Sequence, residues 1–570
     1  MRLSGTKTSS VNQYNGLGDQ LYDLGGAKPT LDLNFSSNES LVDSVTGKTL
    51  VDHTRQSSAT YVDGDGVIRT AVTNYFKYSE NIGFSGWNVR SGTTVTANQE
   101  DPNGSTTATL VTHSSGDGYV WRNDAGFTSG GDFVLSVYAK RVSGTPTLAP
   151  SIWLGTATGA STDPLVSVTD EWVRYDFNAT RQYVSGGQDY GFLVKNGSVL
   201  LWGAQLEQSS TVGQYVKTTT AINSAPRFDH DPTTGESLGL LVEESRTNLL
   251  TYSEEFDNLS YSLASNVGTA VIRTANQAIA PDGALTADKF VFPAVSGAEK
   301  YAAVFKQAVN LSGTHTASIY LKGENGGERI YLFYRVSGGF ASQLCVLTTE
   351  WQRFELTFTG GSTSYWHVGY DLRSGTDQVA ESGGTVYLWG SQLEAGSFPT
   401  SYIPTEGSEF TRAADVASIT GTNFSSWYKQ SEGTAFVEAK NYPYPITGKA
   451  LVPFAFSDNT YNNRITLAGS TGTNQFNFDV TKAGSFRRAI LGNFVSSGLK
   501  VSGGYKSTGS AGSLDGAATV TSDTPNIPSV ISQLNIGQGH VGTNILNGHI
   551  KRLTYWPTRL SNDTLQTITT

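Results

Sequence analysis

The sequence predicts an all-β protein made of three tandem antiparallel β-sandwich domains, two of which are copies of each other. Short runs of β-branched and aromatic residues alternate with Gly, Asn, Asp and Ser, a pattern typical of antiparallel sheets. A near-identical phrase occurs twice, as VLLWGAQLEQ at 199–208 and as VYLWGSQLEA at 386–395. The length of 570 residues is too great for one hydrophobic core, so several domains are expected.

The composition supports a folded chain and excludes several classes of protein. The chain has 27 Tyr, 26 Phe and 10 Trp, which supply enough apolar area for several cores. The net charge of −10 argues against nucleic-acid binding, because phosphate neutralisation needs clustered Lys and Arg. No run of about 18 apolar residues exists, so we expect no membrane insertion. The lone Cys345 excludes an intrachain disulfide and a cysteine-based zinc site.

Two kinds of segment are predicted outside the sandwiches. Residues 1–35 are rich in Gly and Ser and poor in large apolar residues, so they cannot build a core and are predicted to form an extended N-terminal arm. A simply disordered tail is the alternative. A connector is predicted in two parts, at 36–73 and at 221–246.

The first two sandwiches, at 74–220 and 247–405, are predicted to be a duplicated domain. If only a short binding motif had been copied, the surrounding sequence would not match. Further pairs occur in the same order, however: TNYFKYSEN and TNLLTYSEE, TANQ and TANQ, SVYAK and SIYLK, EWVRYDF and EWQRFEL. The last two pairs alternate their side chains with the period of two that a strand requires.

The tryptophans of the duplicated modules are interpreted as structural core. Trp202 and Trp389 stand in the repeated phrase, which begins apolar on both faces, as a central strand covered on both sides would. Trp172 and Trp351 begin the matching E-W-x-R strands. An exposed carbohydrate platform is the alternative for Trp202 and Trp389. The Gly that follows each of these two indicates a bulge or a close backbone approach.

Two acidic segments could carry chemistry. Asp229, His230 and Asp231 form an acid–imidazole–acid cluster, which suits metal binding or acid–base work but also a structural turn or inter-subunit hydrogen bonding. Asp63 and Asp65 suggest a calcium loop, but the rest of an EF-hand pattern is missing and a turn is favoured. The sequence offers no recognisable pair of catalytic carboxylates. We therefore predict no catalytic residues, no metal site and no cofactor.

The last third of the chain, 411–570, is predicted to be a different β-sandwich. The strands LNIG and NGHIKRLTYW precede SNDTLQTI, a short helix that Ser561 can cap. In GHIKRLTYW the apolar residues follow a period of two only imperfectly, which indicates a bulge or twist.

These motifs resemble known families. The Y-S-E opening, the S-x-Y-x-K and E-W-x-R strands and the terminal L-W-G-x-Q-L-E strand resemble modules of bacteriophage tail fibres and other virion proteins, and more distantly carbohydrate-binding jelly rolls. The end of the chain resembles concanavalin-like or laminin-G-like jelly rolls. Segments 54–71 and 225–250 resemble one connector of phage structural proteins, here with the first module inserted. The resemblance implies a homotrimer whose N-terminal arm attaches to other virion proteins.

The function that the resemblance implies is that of a non-enzymatic virion protein, namely a tail fibre, tail spike or head fibre that attaches to host-surface polysaccharide. Sugar rings would stack on aromatic side chains. The best candidate segment is STSYWHVGYD at 362–371, through Tyr365, Trp366 and Tyr370. Trp366 and Tyr370 share one face of a strand, and core packing is the alternative. A capsid decoration protein without a ligand and a host-polysaccharide depolymerase stay open as other functions.

The location expected for the protein is the phage particle, after synthesis in the bacterial cytoplasm. The start of the sequence lacks the apolar stretch of a secretory signal. A single cysteine among apolar neighbours fits synthesis in a reducing compartment.

Overall fold

The computed structural model describes residue 21 and residues 27–114, 116–124, 131–154, 165–181, 188–309, 311–336, 339–361, 363–443, 450–470, 473–493, 498–522, 527–540 and 544–570. Most of these residues lie in strands, and the three helices among them are short. The all-β prediction is confirmed. The chain divides into two compact units, of which one comprises Thr54–Ser58 with Ala71–Ala225 and the other the rest of the chain.

Between residue 27 and the first module, the structure has five short strands and one helix: β1 (Leu31–Leu33), α1 (Phe35–Asn38), β2 (Asp52–Thr54), β3 (Thr60–Val62), β4 (Ile68–Thr70) and β5 (Thr73–Asn74).

The first module, copy 1, is a sandwich of two antiparallel layers. Its strands are β6 (Asn88–Val89), β7 (Thr94–Gln99), β8 (Ala108–His113), β9 (Gly118–Arg122), β10 (Gly131–Leu154), β11 (Val166–Ser167), β12 (Val173–Arg181) and β13 (Gln188–Glu207). One layer has the order β12-β10-β13-β8-β7 and the other has β6-β9-β13-β10-β11, because β10 and β13 are long enough to run through both.

Four short strands follow: β14 (Asn223–Ser224), β15 (Phe228–His230), β16 (Ser237–Val242) and β17 (Arg246–Asn248). The second module, copy 2, then contains β18 (Ser262–Ser265), β19 (Ile272–Ala278), β20 (Ala287–Phe292), β21 (Tyr301–Val309), β22 (Thr314–Gly323), β23 (Arg329–Val336), β24 (Gly339–Val346), β25 (Gln352–Thr359), β26 (Thr363–Asp371) and β27 (Gly384–Ala395).

The layers of copy 2 repeat those of copy 1. They run β25-β22-β27-β20-β19 and β18-β21-β26-β23-β24, which is the strand order of copy 1 when its two long strands are each counted twice. The predicted duplication is confirmed by this shared topology. Strand β27 lies between β20 and β22 and is buried along most of its length, as predicted for a central strand covered on both faces.

The C-terminal sandwich contains β28 (Phe410–Arg412), β29 (Val416–Thr420), α2 (Gly421–Ser425), β30 (Glu432–Lys440), β31 (Leu451–Ser457), β32 (Arg464–Gly469), β33 (Gln475–Lys482), β34 (Ser485–Asn493), β35 (Leu499–Lys506), β36 (Gly509–Leu514), β37 (Val520–Ser522), β38 (Gln533–Ile536), β39 (Gly548–Trp556) and α3 (Asn562–Thr567). One sheet runs β2-β29-β38-β31-β32-β33-β34, and the other runs β15-β16-β39-β30-β35-β36-β37 with β1 also paired to β39.

Two local predictions for the C-terminal region are confirmed. The Ser561 hydroxyl accepts the backbone N–H of Thr564 at 3.1 Å and so caps α3. A register shift between Glu438 and Ala439 marks a bulge where β30 pairs with β39.

The predicted boundary of the N-terminal arm is wrong at its C-terminal end. Leu31 and Leu33 pair with Tyr555 and Leu553 of β39, and both are fully buried, as is Phe35. They belong to the core of the C-terminal sandwich. Short apolar runs such as LDL cannot bury themselves, but they add to a sheet whose edge is open. Residues 1–20 lie outside the described residues.

Candidate functional site

The polar side chains of the repeated phrase hold strands together. Gln392 donates to Glu394 at 2.7 Å and accepts the backbone N–H of Ile403 at 2.6 Å. Asn248 accepts the N–H of Leu393 at 3.0 Å and donates to the carbonyl of Ile403 at 2.9 Å. Buried amides and carboxylates need such partners.

Copy 1 repeats this network. Gln205 donates to Glu207 at 2.8 Å and accepts the N–H of Val216 at 2.7 Å, while Asn74 donates to Val216 at 2.8 Å and accepts the N–H of Leu206 at 3.2 Å. The repeated phrase is therefore a structural element of each module.

The Y-S-E motif has a structural role as well. Trp389 packs between the rings of Tyr320 and Tyr402, with centroids 5.5 and 4.6 Å away. The Tyr402 hydroxyl donates to Glu254 at 2.9 Å and lies 2.7 Å from the hydroxyl of Ser253. Burial raises the pKa of Glu254 to about 7, although the hydrogen bond from Tyr402 opposes this. The motif thus anchors the aromatic stack.

The four predicted core tryptophans differ in burial. Trp389 is 1% exposed and Trp202 is 6% exposed, which leaves neither ring free to act as a platform. Trp172 and Trp351 are half-buried. The assignment of Trp172 to the core is wrong, because Trp172 packs against none of the core clusters among the described residues, whereas Trp351 packs against one of them. The Trp351 indole covers the edge of the Trp389 cluster and donates to the carbonyl of Ile279 at 2.9 Å.

The acid–imidazole–acid cluster is split among three sets of partners. Asp229 lies 2.7 Å from the Nε2 atom of His549, whereas His230 lies 2.9 Å from Glu39. Asp231 accepts two backbone N–H groups of the following turn, from Thr233 and Thr234. The side chains therefore serve as structural links and a turn cap.

The Asp63 segment is a turn, as favoured from the sequence. Asp63 accepts the N–H groups of Asp65 and Val67, both at 3.0 Å, and the guanidinium of Arg69 at 2.7 Å. No group of three or more His, Cys, Asp or Glu side chains in the described part of the chain could hold a metal ion.

The predicted glycan segment is β26, and the structure separates its three aromatic residues. Trp366 is 0% exposed and Tyr370 is 1% exposed, and both pack in the core of copy 2. The proposed sugar contact through Trp366 is therefore wrong, because its ring faces the second sheet. Tyr370 packs in the same core but also borders the cleft described next. Tyr365 is half-buried on the opposite, outward face.

That outward face forms a cleft of about 560 Å³ on the sheet β18-β21-β26-β23-β24. We call it the cleft; its lining residues are Ala264, Tyr301, Ala303, Phe305, Phe333, Arg335, Tyr365, His367, Tyr370 and Arg373. Ala264 and Ala303 are cross-strand neighbours, and their small side chains leave space for the cleft between the larger lining side chains.

The aromatic part of the cleft is a row across three strands. His367 lies between Phe305 and Phe333 in the strand register and stacks on both, with centroids 5.6 and 4.4 Å away. Tyr365 meets Phe305 edge to face at 6.2 Å. Phe305 and Tyr365 are half-buried, so parts of both rings stay accessible.

His367 is a neutral ring in this row. Burial lowers its pKa to about 3, even though a hydrogen bond to the Tyr365 carbonyl opposes the shift. The Nδ1 atom must donate in that 3.0 Å bond, because a carbonyl can only accept. In the neutral ring Nε2 is therefore an acceptor.

Charged side chains close one end of the cleft. Arg373 donates to Asp371 through Nε at 2.8 Å and Nη2 at 2.6 Å, and Arg335 donates to it through Nη1 at 2.5 Å. Burial of Asp371 disfavours its ionised form, but these hydrogen bonds outweigh burial and hold its pKa below the usual range. The Arg373 guanidinium also lies 4.4 Å from the Tyr301 ring centroid.

The matching face of copy 1 carries different residues. Tyr119 and Trp121 are half-buried and alternate along β9. The Trp121 indole is hydrogen-bonded to Asp189, and Lys195 pairs with Asp117 at 2.8 Å. The two modules thus share a fold but present different outward surfaces.

Sequence reasoning missed most of the cleft. The sequence predicts two of the lining residues, Tyr365 and Tyr370, and strict alternation opposite Trp366 would also indicate His367. Phe305 and Phe333 lie in strands that are apolar on both faces, and Arg373 lies in a loop, so no local pattern indicates them.

Comparisons with known proteins add the following findings. The sequence matches no protein-family model. It matches no curated protein either. Among solved structures, the CBM22 tandem of Paenibacillus barcinonensis Xyn10C aligns at 13% identity over 57% of this chain and 98% of that chain, with a TM-score of 0.21.

Two further solved structures align with similarly low identity and TM-score. The Ruminococcus gnavus IT-sialidase CBM40, bound to α2,6 sialyllactose, aligns at 13% identity over 26% of this chain and 88% of that one, with a TM-score of 0.22. Mouse laminin α1 domains LG4-5 align at 10% identity over 46% of this chain and 90% of that one, with a TM-score of 0.17. Within the described residues, no helix has the length and apolarity to span a membrane.

Proposed function

We propose that the chain is a non-enzymatic structural protein of a phage particle that binds host-surface glycan through the cleft of copy 2. The observation that carries the proposal is the row of accessible aromatic side chains on an outward sheet face, beside fixed donors and an acceptor. Tyr365 and Phe305 offer ring surface for the C–H face of a sugar. Arg335, Arg373 and the Nε2 atom of His367 offer hydrogen bonds at fixed positions.

The composition of the cleft supports binding without bond cleavage. Glycoside hydrolysis ordinarily needs two carboxylates about 5 to 9.5 Å apart, flanking the scissile bond. The residues that line the cleft within the described part of the chain include no Asp or Glu. Asp371 lies beneath the two arginines and is fully buried.

The assignment to a virion rests on the sequence resemblance of the modules and connector. In this proposal the chain is a tail fibre, tail spike or head fibre, present as a homotrimer. It is attached through the N-terminal residues that precede Leu31, since Leu31, Leu33 and Phe35 belong to the C-terminal core. Several copies of the chain on one particle would bind the host surface at the same time, so that weak individual clefts give tight overall binding through avidity. Immunogold electron microscopy of intact particles tests this part, because label on the tail or head fibres supports it and unlabelled particles contradict it.

Glycan binding is tested with the full chain and oligosaccharides from host-surface polysaccharide. We expect Tyr365→Ala and Phe305→Ala each to weaken binding about tenfold, the effect of losing one stacking contact of about 1.4 kcal/mol. Tyr461→Ala is the matched control, since Tyr461 is 62% exposed on the C-terminal sandwich and should leave binding unchanged. Wild-type affinity in both cleft variants would contradict the assignment of the site. Steady release of reducing sugar by the wild-type chain would contradict the non-enzymatic role.

A further inference from the structure

The arginine end of the cleft holds more hydrogen-bond donors than its carboxylate can use. The two oxygens of Asp371 accept one N–H of Arg335, two side-chain N–H groups of Arg373 and the Arg373 backbone N–H at 3.0 Å. Four donors fill the four lone-pair positions of a carboxylate. Asp371 is therefore saturated.

Most donors of the two guanidiniums remain available. Each guanidinium carries five N–H groups, and no hydrogen bond from these two to a group other than Asp371 is found among the described residues. The side chains of Arg335 and Arg373 are 29% and 33% exposed. Their unused donors are thus open to a ligand in the cleft.

At the arginine end of the cleft, the positive charges of Arg335 and Arg373 are neutralised to different extents. Arg373 has a bidentate hold on Asp371, and the exposed Glu299 also acts on it, while Glu299 itself accepts the Ser374 N–H at 2.9 Å. Among the described residues, the Arg335 side chain makes one hydrogen bond, to a carboxylate that the Arg373 side chain already holds twice. Arg335 is therefore the cation whose charge is least neutralised.

Arg335 also has the right position relative to the rings. It is the direct cross-strand neighbour of Tyr365, and such pairs have Cβ atoms about 5 Å apart. The Arg335 side chain runs from beside Tyr365 to Asp371, so a glycan that stacks on Tyr365 and Phe305 and extends along the cleft would bring a substituent to the guanidinium. The planar fork of arginine matches the two oxygens of a carboxylate.

We infer that the cleft selects a sugar that bears a carboxylate, with Arg335 binding the carboxylate and the Tyr365 and Phe305 rings binding the sugar ring. This inference rests on the proposed function and narrows its ligand to acidic glycans. Arg373 acts as a positioning residue, because it holds Asp371 and so orients Arg335.

The test compares each acidic sugar with the same sugar made neutral. Oligogalacturonate, oligoglucuronate and sialyllactose are each titrated into the full chain beside their methyl esters. We expect at least one acid to bind about tenfold more tightly than its ester, since a hydrogen-bonded ion pair contributes roughly 1.5 kcal/mol or more. That preference should shrink as salt is raised, because an exposed ion pair is screened.

Arg335→Gln should reduce the ratio of acid to ester affinity to about one, while Arg335→Lys should keep part of it. Arg329→Gln is the matched control, since Arg329 lies on the same strand, outside the cleft, and has its own partner, Glu381, at 3.0 Å. Circular dichroism and thermal unfolding of each variant establish that it is folded.

The outcomes separate the inference from the proposed function. Equal binding of acid and ester, binding of neutral glycans alone, or an unchanged ratio in Arg335→Gln would overturn the acidic preference and leave glycan binding in place. Absence of binding to every acidic and neutral glycan would overturn both.

Discussion

A single buried lysine shows how one side chain can make stability depend on pH. Lys306 is 6% exposed and has no carboxylate partner among the described residues. Its ammonium donates to the Thr251 backbone carbonyl, to the Thr251 hydroxyl at 2.9 Å and to Ser260 at 3.0 Å, and it lies 4.3 Å from the Tyr261 ring centroid. Burial lowers its pKa to about 8.

We expect the stability of copy 2 to rise between about pH 8 and pH 10 relative to variants without this titration. The folded-state pKa lies below the unfolded value of about 10.4, so the cost of the buried charge is full below about pH 8 and is relieved as pH rises through that interval. Calorimetry of the wild type, Lys306→Met and Lys306→Arg checks this. Between about pH 8 and pH 10, the free energy of unfolding of the wild type should rise by about 1–2 kcal/mol relative to that of both variants. Parallel pH profiles for all three would contradict the expectation.

At the scale of elements, the bulge in β27 explains why the repeated phrase contains W-G. Gly390 has φ +66°, and a Cβ there would lie 3.1 Å from Tyr320 and 3.2 Å from Tyr402. Gly203 of copy 1 has φ +65° and lies against Tyr138 and Tyr215 in the same way. The glycine lets the strand bend while the tyrosines stay packed on the adjacent Trp.

We expect Gly390→Ala to destabilise copy 2 by about 1–3 kcal/mol, because a left-handed backbone and a crowded Cβ add their costs. Gly268→Ala is the control, since Gly268 has φ +86° but open space around the added Cβ. The difference between the two, measured by thermal unfolding, isolates the contact with the tyrosines. A smaller loss in Gly390→Ala than in Gly268→Ala would contradict this role of the bulge.

At the scale of the whole molecule, a buried ion cluster joins segments that are far apart in sequence. Arg227 contacts Asp415 at 2.5 Å and Glu243 at 2.8 Å, and Arg412 contacts Glu243 at 3.0 Å. Ser401, at the end of copy 2, donates its N–H to Glu243 at 2.7 Å. The second connector segment, through Arg227 and Glu243, thus joins copy 2 to the start of the C-terminal sandwich, and we call this ion cluster the clasp.

The ionisation of Glu243 in the clasp also makes the stability of the larger unit depend on pH. Burial disfavours ionised Glu243, but Arg412 and Arg227 outweigh burial and lower its pKa to about 2. The unfolded value is about 4.3, so the stability that Glu243 contributes is present above about pH 4.3 and is lost as pH falls toward 2.

We expect Arg227→Met to cost about 3–5 kcal/mol, because it leaves two buried carboxylates undercompensated. The double variant Arg227→Met/Asp415→Leu should cost less than the sum of the single variants, since it removes both members of a pair. Acid unfolding of Arg227→Met should begin at higher pH than in the wild type. Additive losses in denaturant unfolding would contradict the coupling.

More of the fold than of the cleft could be predicted from the sequence. Alternation, turn residues and internal repetition are local patterns, and they predicted the strands, the duplication and the bulge after Trp389. The cleft could not be predicted in the same way, because Phe305, Phe333 and Arg335 come from strands that meet only when the sheet forms.

The sequence by itself determined the all-β class and the Ser561 cap, since each depends on side chains within a few residues of one another. It also determined the two copies, since the same phrases recur in the same order. Only the tertiary structure decided that Trp366 faces the core and Tyr365 the cleft, and that Leu31 pairs with Tyr555. The physical reason is that the two faces of a strand are equivalent until another sheet covers one of them. Contacts between distant segments likewise exist only after the chain has folded.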